Sequence, residues 1–260
     1  MKSPILIFTD LDGTLLDEKY SYQDTLQVLT VLKRKKVPII FCSGKTKDEQ
    51  EVIKTEMGVN DPFIVEDGSA IYIPKGYFKE KQGELVGNYE VIVLGVKFEN
   101  IINEIKVLKR KYMIKNFFDI SDQEVAELTG LSLEGAKLAK DREFSETVVE
   151  ADEKALKELK KKFNVAIGGK FIHVFGKGAD KGKAVKLLTD IFRKDFRNVK
   201  TVGIGNSYTD EPMLKAVQIP AIVKNPDGNW ANLKIDEIYK ADSIGPKGWT
   251  EVVRKFVLEE

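Results

Sequence analysis

A chain of 260 residues with 42 Lys and Arg against 41 Asp and Glu carries a net charge of +1, so nothing in its charge draws it to nucleic acid or a membrane surface, and the expected partner is a small molecule. The length suits one large domain or two small ones, and 42% hydrophobic residues suffice for packed interiors. A single cysteine, Cys42, excludes an intramolecular disulfide and offers no zinc set; with Met1-Lys2-Ser3-Pro4 running into the first strand without an apolar leader, the expectation is a cytoplasmic protein.

Ile5 to Phe8 reads as a buried strand, and Thr9-Asp10-Leu11-Asp12-Gly13-Thr14 follows directly. Residues two apart in extended chain point to one side, so Asp10 and Asp12 can face one phosphorus atom while Gly13 turns the chain away. One carboxylate then attacks while the other handles a proton. A helix over Tyr22 to Lys35, with Leu26, Leu29 and Leu32 on its apolar face, leads to a second strand from Val37 to Cys42. Ser43-Gly44-Lys45-Thr46 follows it with a hydroxyl and a pliant backbone fit to grip phosphoryl oxygens, and a helix runs from Lys47 to Met57. This alternation predicts parallel β-α-β units.

From Gly83 to Gly176 the pattern changes to α+β. A strand at Glu90 to Leu94 precedes a helix carrying Ile101, Ile105 and Leu108, then short helices at Ser121 to Leu128 and Leu133 to Asp141. A strand at Glu146 to Glu150, a helix with Leu156, Leu159 and Phe163, and strands at Asn164 to Ala166 and Phe171 to Phe175 complete the segment. It is expected to be a separate domain, 84–176, inserted into a core formed by 1–83 and 177–260, with hinges between Pro74 and Gly83 and at Gly176-Lys177-Gly178. His173 lies in an apolar strand and reads as a packed imidazole, and Trp230 and Trp249 read as packing residues.

The parallel pattern then resumes. Lys181 opens a helix faced by Ala184, Leu187, Leu188 and Ile191, placing a fixed positive charge where a helix N-terminus already favours an anion. A strand at Val199 to Ile204 ends in Gly205-Asn206-Ser207-Tyr208-Thr209-Asp210, whose hard oxygen ligands suit Mg²⁺. A strand at Pro220 to Val223 and a helix from Trp249 to Leu258 close the chain. Ligands of parallel sheets sit beyond the carboxyl ends of the strands, so one pocket can gather Asp10, Ser43, Lys181 and Asp210.

This order of motifs resembles the haloacid dehalogenase-like phosphohydrolases over nearly the whole length. The stretches Pro62 to Ile71, Val86 to Tyr89, Arg142 to Thr147 and Gly245 to Trp249 are similar, more narrowly, to the mannosyl-3-phosphoglycerate phosphatases. The resemblance implies a Rossmann-like parallel core of the haloacid dehalogenase type whose α+β insertion is a cap over the active site. It implies attack on phosphorus by Asp10 to give an aspartyl-phosphate, proton transfer by Asp12, and charge stabilisation by Ser43, Lys181 and Mg²⁺. Asp10, the main-chain carbonyl of Asp12, Asn206 and Asp210 would hold the metal, although the family pattern has Asp where Asn206 stands, and a neutral ligand attracts the cation less. The implied substrate is a small phosphorylated sugar acid, mannosyl-3-phosphoglycerate, hydrolysed to mannosylglycerate and phosphate. The alternatives are the glucosyl ester or another sugar phosphate, and a catalytically silent binding member of the fold. Substrate contacts are expected from the cap through Arg142, Gly169 and Lys170, and from the core through Gly44 and Lys45, with Glu66 and Asp67 beside them.

Overall fold

The computed structural model describes residues 4–196 and 198–259, so the N-terminal stretch Met1 to Ser3 lies outside them. In chain order, β1 (Ile5–Thr9) leads through α1 (Leu26–Lys35) to β2 (Ile39–Phe41) and α2 (Lys47–Met57). β3 (Phe63–Val65) and β4 (Ala70–Pro74) flank a tight turn, and β5 (Glu84–Val86) and β6 (Tyr89–Val93) form a hairpin. The inserted segment runs α3 (Phe98–Leu108), β7 (Ile114–Asn116), α4 (Asp122–Thr129), α5 (Leu133–Lys140), β8 (Ser145–Ala151), α6 (Glu153–Lys162), β9 (Phe163–Gly168) and β10 (Phe171–Gly176). After it come α7 (Lys181–Asp195), β11 (Lys200–Gly205), α8 (Glu211–Leu214), β12 (Ile219–Lys224), β13 (Tyr239–Ile244) and α9 (Gly245–Val253), which continues as a π-helical turn, Arg254–Leu258.

The core is a five-stranded sheet in the order β13-β12-β11-β1-β2, parallel throughout. Along β1 the side chains alternate between two apolar layers: Leu6 and Phe8 pack with Val185, Leu188 and Ile191 of α7, and Ile7 packs with Leu29 and Leu32 of α1 and with Trp249 of α9. Helices thus cover both faces, which is why β1 reads as an uninterrupted apolar run. Trp249 is fully buried, as expected, and also donates its indole N–H to Thr9 Oγ1 at 3.0 Å. Among the described residues, no helix is long and apolar enough to cross a membrane.

A second sheet, β7-β8-β10-β9, is antiparallel and covers its own apolar cluster, where Ile101 and Ile105 of α3 and Leu159 of α6 meet Val148 and Val174. Alternation then turns Ser145, Thr147 and His173 to the opposite face. A third sheet, β3-β4-β6-β5, joins the end of β2 through a parallel bridge between Cys42 and Ile64. This third sheet spans the division expected at 83/84, because β6 pairs with β4 along Ala70 to Pro74.

Among the described residues, five strands lie outside the expected set: β3, β4, β5, β7 and β13. Three of them are three residues long, too short to show a period. β13 is an edge strand with the mixed sequence Tyr-Lys-Ala-Asp-Ser-Ile, so it lacks the apolar run that marks central parallel strands.

Candidate active site

β1 lies between β2 and β11, so the chain crosses away from it in opposite directions, and the crevice beyond its carboxyl end is the topological switch point. Asp10 stands there, its amide donating to the Ile204 carbonyl at 2.9 Å. Gly13 then turns the chain with φ +72°, and a Cβ at that position would sit 2.5 Å from Asn206 Nδ2. Glycine is required on both counts.

Lys181 is the first residue of α7, yet it is only 3% exposed, unlike an ordinary solvated first-turn lysine. Its ammonium donates to Asp10 Oδ1 at 2.9 Å and to Asp210 Oδ1 at 2.6 Å. Burial alone would lower its pKa, but the two carboxylates hold it well above the usual lysine range. One ammonium does not balance both acids. Burial and the neighbouring Asp210, partly offset by Lys181, push the Asp10 carboxyl up to about 7.

Asp12 differs from its neighbour: its carboxylate is 51% exposed, opens into the cavity and pairs with Lys45 at 3.2 Å. Lys45 is itself buried between Asp12, Glu49 at 3.2 Å and the Tyr20 ring. Glu49 also completes the capping box with Thr46 that starts α2, so the helix cap and the Lys45 ion pair share one carboxylate. Ser43 follows β2 with its amide on the Ile64 carbonyl, and its own carbonyl accepts from the Asp67 amide at 3.1 Å.

Asn206 and Asp210 sit differently from each other. Asp210 is fully buried; one oxygen serves Lys181, while the other accepts from the amides of Asn206 and Ser207 and from Ser207 Oγ at 3.0–3.1 Å. Both its oxygens are therefore engaged in fixing Lys181 and the turn. Asn206 lines the cavity, accepting from Thr14 Oγ1 at 3.1 Å and donating to Asn225 Oδ1 at 2.9 Å. Among the described residues, no group of three or more His, Cys, Asp or Glu stands close enough to hold a metal ion. A cation here would draw on few charged groups and several neutral oxygens. That composition suits Mg²⁺, which takes one or two carboxylates and otherwise keeps water and phosphate oxygens. With the buried Asp10 and Asp210 carboxylates sharing one ammonium and the neutral Asn206 oxygen on the cavity wall, the donor set fits a hard divalent cation.

These groups open on one cavity of about 470 Å³ shared by core and insertion. Asp10, Asp12, Ser43, Gly44, Lys45, Lys181 and Asn206 line it from the core, and Arg142, Gly169 and Lys170 from the insertion, while Asp210 lies behind the wall. Gly169, at φ +58°, forms the tip between β9 and β10 with the exposed Lys170 next to it. Arg142 reaches across: both terminal nitrogens donate to the Gly44 carbonyl at 3.3 Å, one also to Ser145 Oγ at 2.7 Å, and Glu66 lies 3.8 Å away. Glu66, wholly buried, accepts from the amides of Glu143 and Phe144 and from Ser145 Oγ, tying the turn after β3 to the start of β8. Burial raises its pKa against the opposing effect of Arg142.

His173, read in the sequence as a packed imidazole, is closely packed and also takes a place in the cavity wall. Its Nδ1 lies 2.6 Å from Asp67 Oδ2. Burial would raise the Asp67 carboxyl, but His173, Lys181 and Arg142 together hold it down to about 2. Thr14, Thr147 and Asn225 also went unforeseen. Asn225 had a signal, since it follows the apolar run of β12 as Asp10 follows that of β1; Thr147 had one in closing the stretch Arg142 to Thr147 that carries the narrower resemblance.

The family model described as haloacid dehalogenase-like hydrolase matches residues 7–230. A glucosyl-3-phosphoglycerate/mannosyl-3-phosphoglycerate phosphatase of Persephonella marina is 39% identical over 264 residues, covering 98% of each chain. A protein of the same description from Methanococcoides burtonii is 40% identical over 97% of each chain. A mannosyl-3-phosphoglycerate phosphatase of Pyrococcus furiosus is 40% identical over 84% of this chain and 90% of that protein. Among solved structures, protein 0175 of Thermoplasma acidophilum superposes with a TM-score of 0.71 at 17% identity, covering 99% of this chain and 100% of the other, a likeness of fold alone.

Proposed function

Because the chain belongs to the haloacid dehalogenase-like hydrolases, we propose that it is a Mg²⁺-dependent phosphatase that removes phosphate from mannosyl-3-phosphoglycerate, leaving mannosylglycerate, and that it also takes the glucosyl ester. The breadth is supported by relatives named for both esters that match 97–98% of the chain, insertion included. The observation that carries the chemistry is the contrast at the end of β1. There the buried Asp10, held by Lys181, stands two residues before Asp12, whose carboxylate opens into the same cavity.

In the proposed reaction an Asp10 carboxylate oxygen attacks phosphorus in line with the leaving glycerate oxygen, forming an acyl-phosphate bond as the ester P–O bond breaks. Asp12 gives its proton to the departing oxygen, then takes one from the water that hydrolyses the aspartyl-phosphate. Lys45 orients that carboxylate in the resting protein. Ser43 Oγ, the backbone at Gly44 and the Lys181 ammonium face the phosphoryl oxygens, where charge accumulates. Asp10, the main-chain carbonyl of Asp12 and the Asn206 amide oxygen would hold Mg²⁺, which supplies further positive charge to those oxygens. Asp210, with both oxygens engaged, acts as the positioning residue for Lys181 and the 206–207 turn.

In this reading the insertion, residues 97–176, is the cap that selects the substrate. Lys170, without an ion-pair partner among the described residues, supplies the charge for the substrate carboxylate. Phosphate release from the two esters by the wild-type protein, with Asp10→Asn as the blank, tests the assignment. Release from neither ester at saturating Mg²⁺ refutes it.

A further inference from the structure

Two buried polar atoms in residues of the cavity wall lack any hydrogen-bond partner among the described residues: Thr147 Oγ1 and Arg142 Nε. Thr147 is 2% exposed and the Arg142 side chain 6%, so bulk water does not satisfy them. Native interiors rarely leave such groups unmade, so each calls for a partner that the described residues do not supply.

A third atom joins them. His173 and Thr147 are register partners on the antiparallel strands β10 and β8, so their side chains stand side by side on the face turned toward the cavity. The Asp67 carboxylate lies 2.6 Å from His173 Nδ1, which therefore carries a proton, and Nε2 has no partner among the described residues. The imidazole fits between two glycines: a Cβ on Gly44 or Gly168 would lie 2.9 or 3.3 Å from its Cε1.

We propose that His173 Nε2, Thr147 Oγ1 and Arg142 Nε form a hydroxyl-binding subsite that takes the sugar of the substrate. The inference rests on the glycosyl-phosphoglycerate reading above and names which surface reads the sugar. Charge decides between a hydroxyl and a carboxylate as the occupant. The Arg142 guanidinium is already committed to the Gly44 carbonyl and Glu66, and the Asp67 carboxylate lies against His173. A carboxylate placed there would meet the Asp67 charge beside an Arg142 that is already committed. A sugar hydroxyl instead has one proton and two lone pairs, so it can pair with Nε2 and accept from the Arg142 N–H and the Thr147 hydroxyl, serving all three atoms.

The test compares KM for mannosyl-3-phosphoglycerate with Ki for 3-phosphoglycerate as its competitor, which keeps phosphate and carboxylate but lacks the sugar. In Thr147→Val, which preserves shape, and in Asp67→Asn, which frees the imidazole, the ratio of KM to Ki should rise roughly tenfold, the loss expected of a buried hydrogen bond. Thr147→Ser, which restores the hydroxyl, should return the ratio to the wild-type value. A merely structural role would weaken both ligands alike, so an unchanged ratio in either Thr147→Val or Asp67→Asn overturns the subsite. Failure of the functional reading would show separately, as wild-type protein that turns over neither glycosyl ester.

Discussion

Replacing Asp10 by Asn is expected to abolish turnover and yet stabilise the metal-free protein. The Asp10 carboxyl is raised from 3.8 to about 7 by burial and by Asp210, against the attraction of Lys181. For a carboxyl raised on folding, the unfolded chain ionises first. The penalty is absent below pH 3.8, grows as the pH climbs through the window, and is complete above about 7. Roughly three pH units at 1.36 kcal/mol each give an upper bound of about 4 kcal/mol. Lys181 keeps Asp210 at 2.6 Å, and the raised pKa already includes its attraction for Asp10, so only relaxation of the buried site discounts the bound, to about 1–3 kcal/mol at pH 8. Below pH 5 the gain should shrink toward zero. Urea unfolding of both proteins in EDTA at pH 5 and pH 8 measures it, and the variant should melt about 2–10 °C higher at pH 8. A variant no more stable than the parent at pH 8, or a gain that does not shrink at pH 5, would refute the reasoning.

Lys181→Met leaves Asp10 and Asp210 buried without their shared cation, and should lower stability by about 3–5 kcal/mol at neutral pH and abolish turnover; a melting temperature within a degree of the parent would contradict the bridging role. Asn206→Asp adds a charged oxygen to the cavity that Asp10 also lines and removes the donor to Asn225, so the Mg²⁺ concentration for half-maximal activity should fall about tenfold while the protein in EDTA loses stability. A Mg²⁺ titration of phosphate release together with melts in EDTA checks both effects, and an unchanged Mg²⁺ requirement would remove Asn206 from the ligand set. Gly13→Ala forces a side chain into positive φ and against Asn206, which should destabilise by about 1–2 kcal/mol and displace the Asn206 amide. Its activity should fall further than its melting temperature explains, and an unaltered kcat would count against the close packing of these two loops.

The parts of the site legible in the sequence share one grammar: an uninterrupted apolar run, buried on both faces, followed at once by chemically useful residues. Asp10 after Phe8 and Thr9, Ser43 after Cys42 and Asn206 after Gly205 all obey it, and the parallel core follows from the same runs. Roles set by distant partners were not legible. Nothing near Asp210 in sequence says that Lys181, across the molecule, will use one oxygen while the turn takes the other. His173 looked like a core residue because its neighbours Ile172 and Val174 are one; strand alternation places it on the other face, but only the register with Thr147 and the approach of Asp67 show what that face meets. Asp67-Gly68 announces a turn after β3, but nothing in the sequence says that Glu66 and Asp67 will themselves take positive φ, at 48° and 59°. Hydrogen bonds from residues 143–145 and from His173 hold their side chains there, and these form only once the insertion is in place. β6 was assigned by proximity to the insertion, whereas its partner, β4, precedes the β5–β6 hairpin.

The most direct test of the account is phosphate release from mannosyl-3-phosphoglycerate and glucosyl-3-phosphoglycerate, measured side by side across a Mg²⁺ series with Asp10→Asn as the blank. The account predicts metal-dependent release from both esters by the parent protein and none by the variant. Release from neither ester at high Mg²⁺, or release that survives in Asp10→Asn, would contradict it.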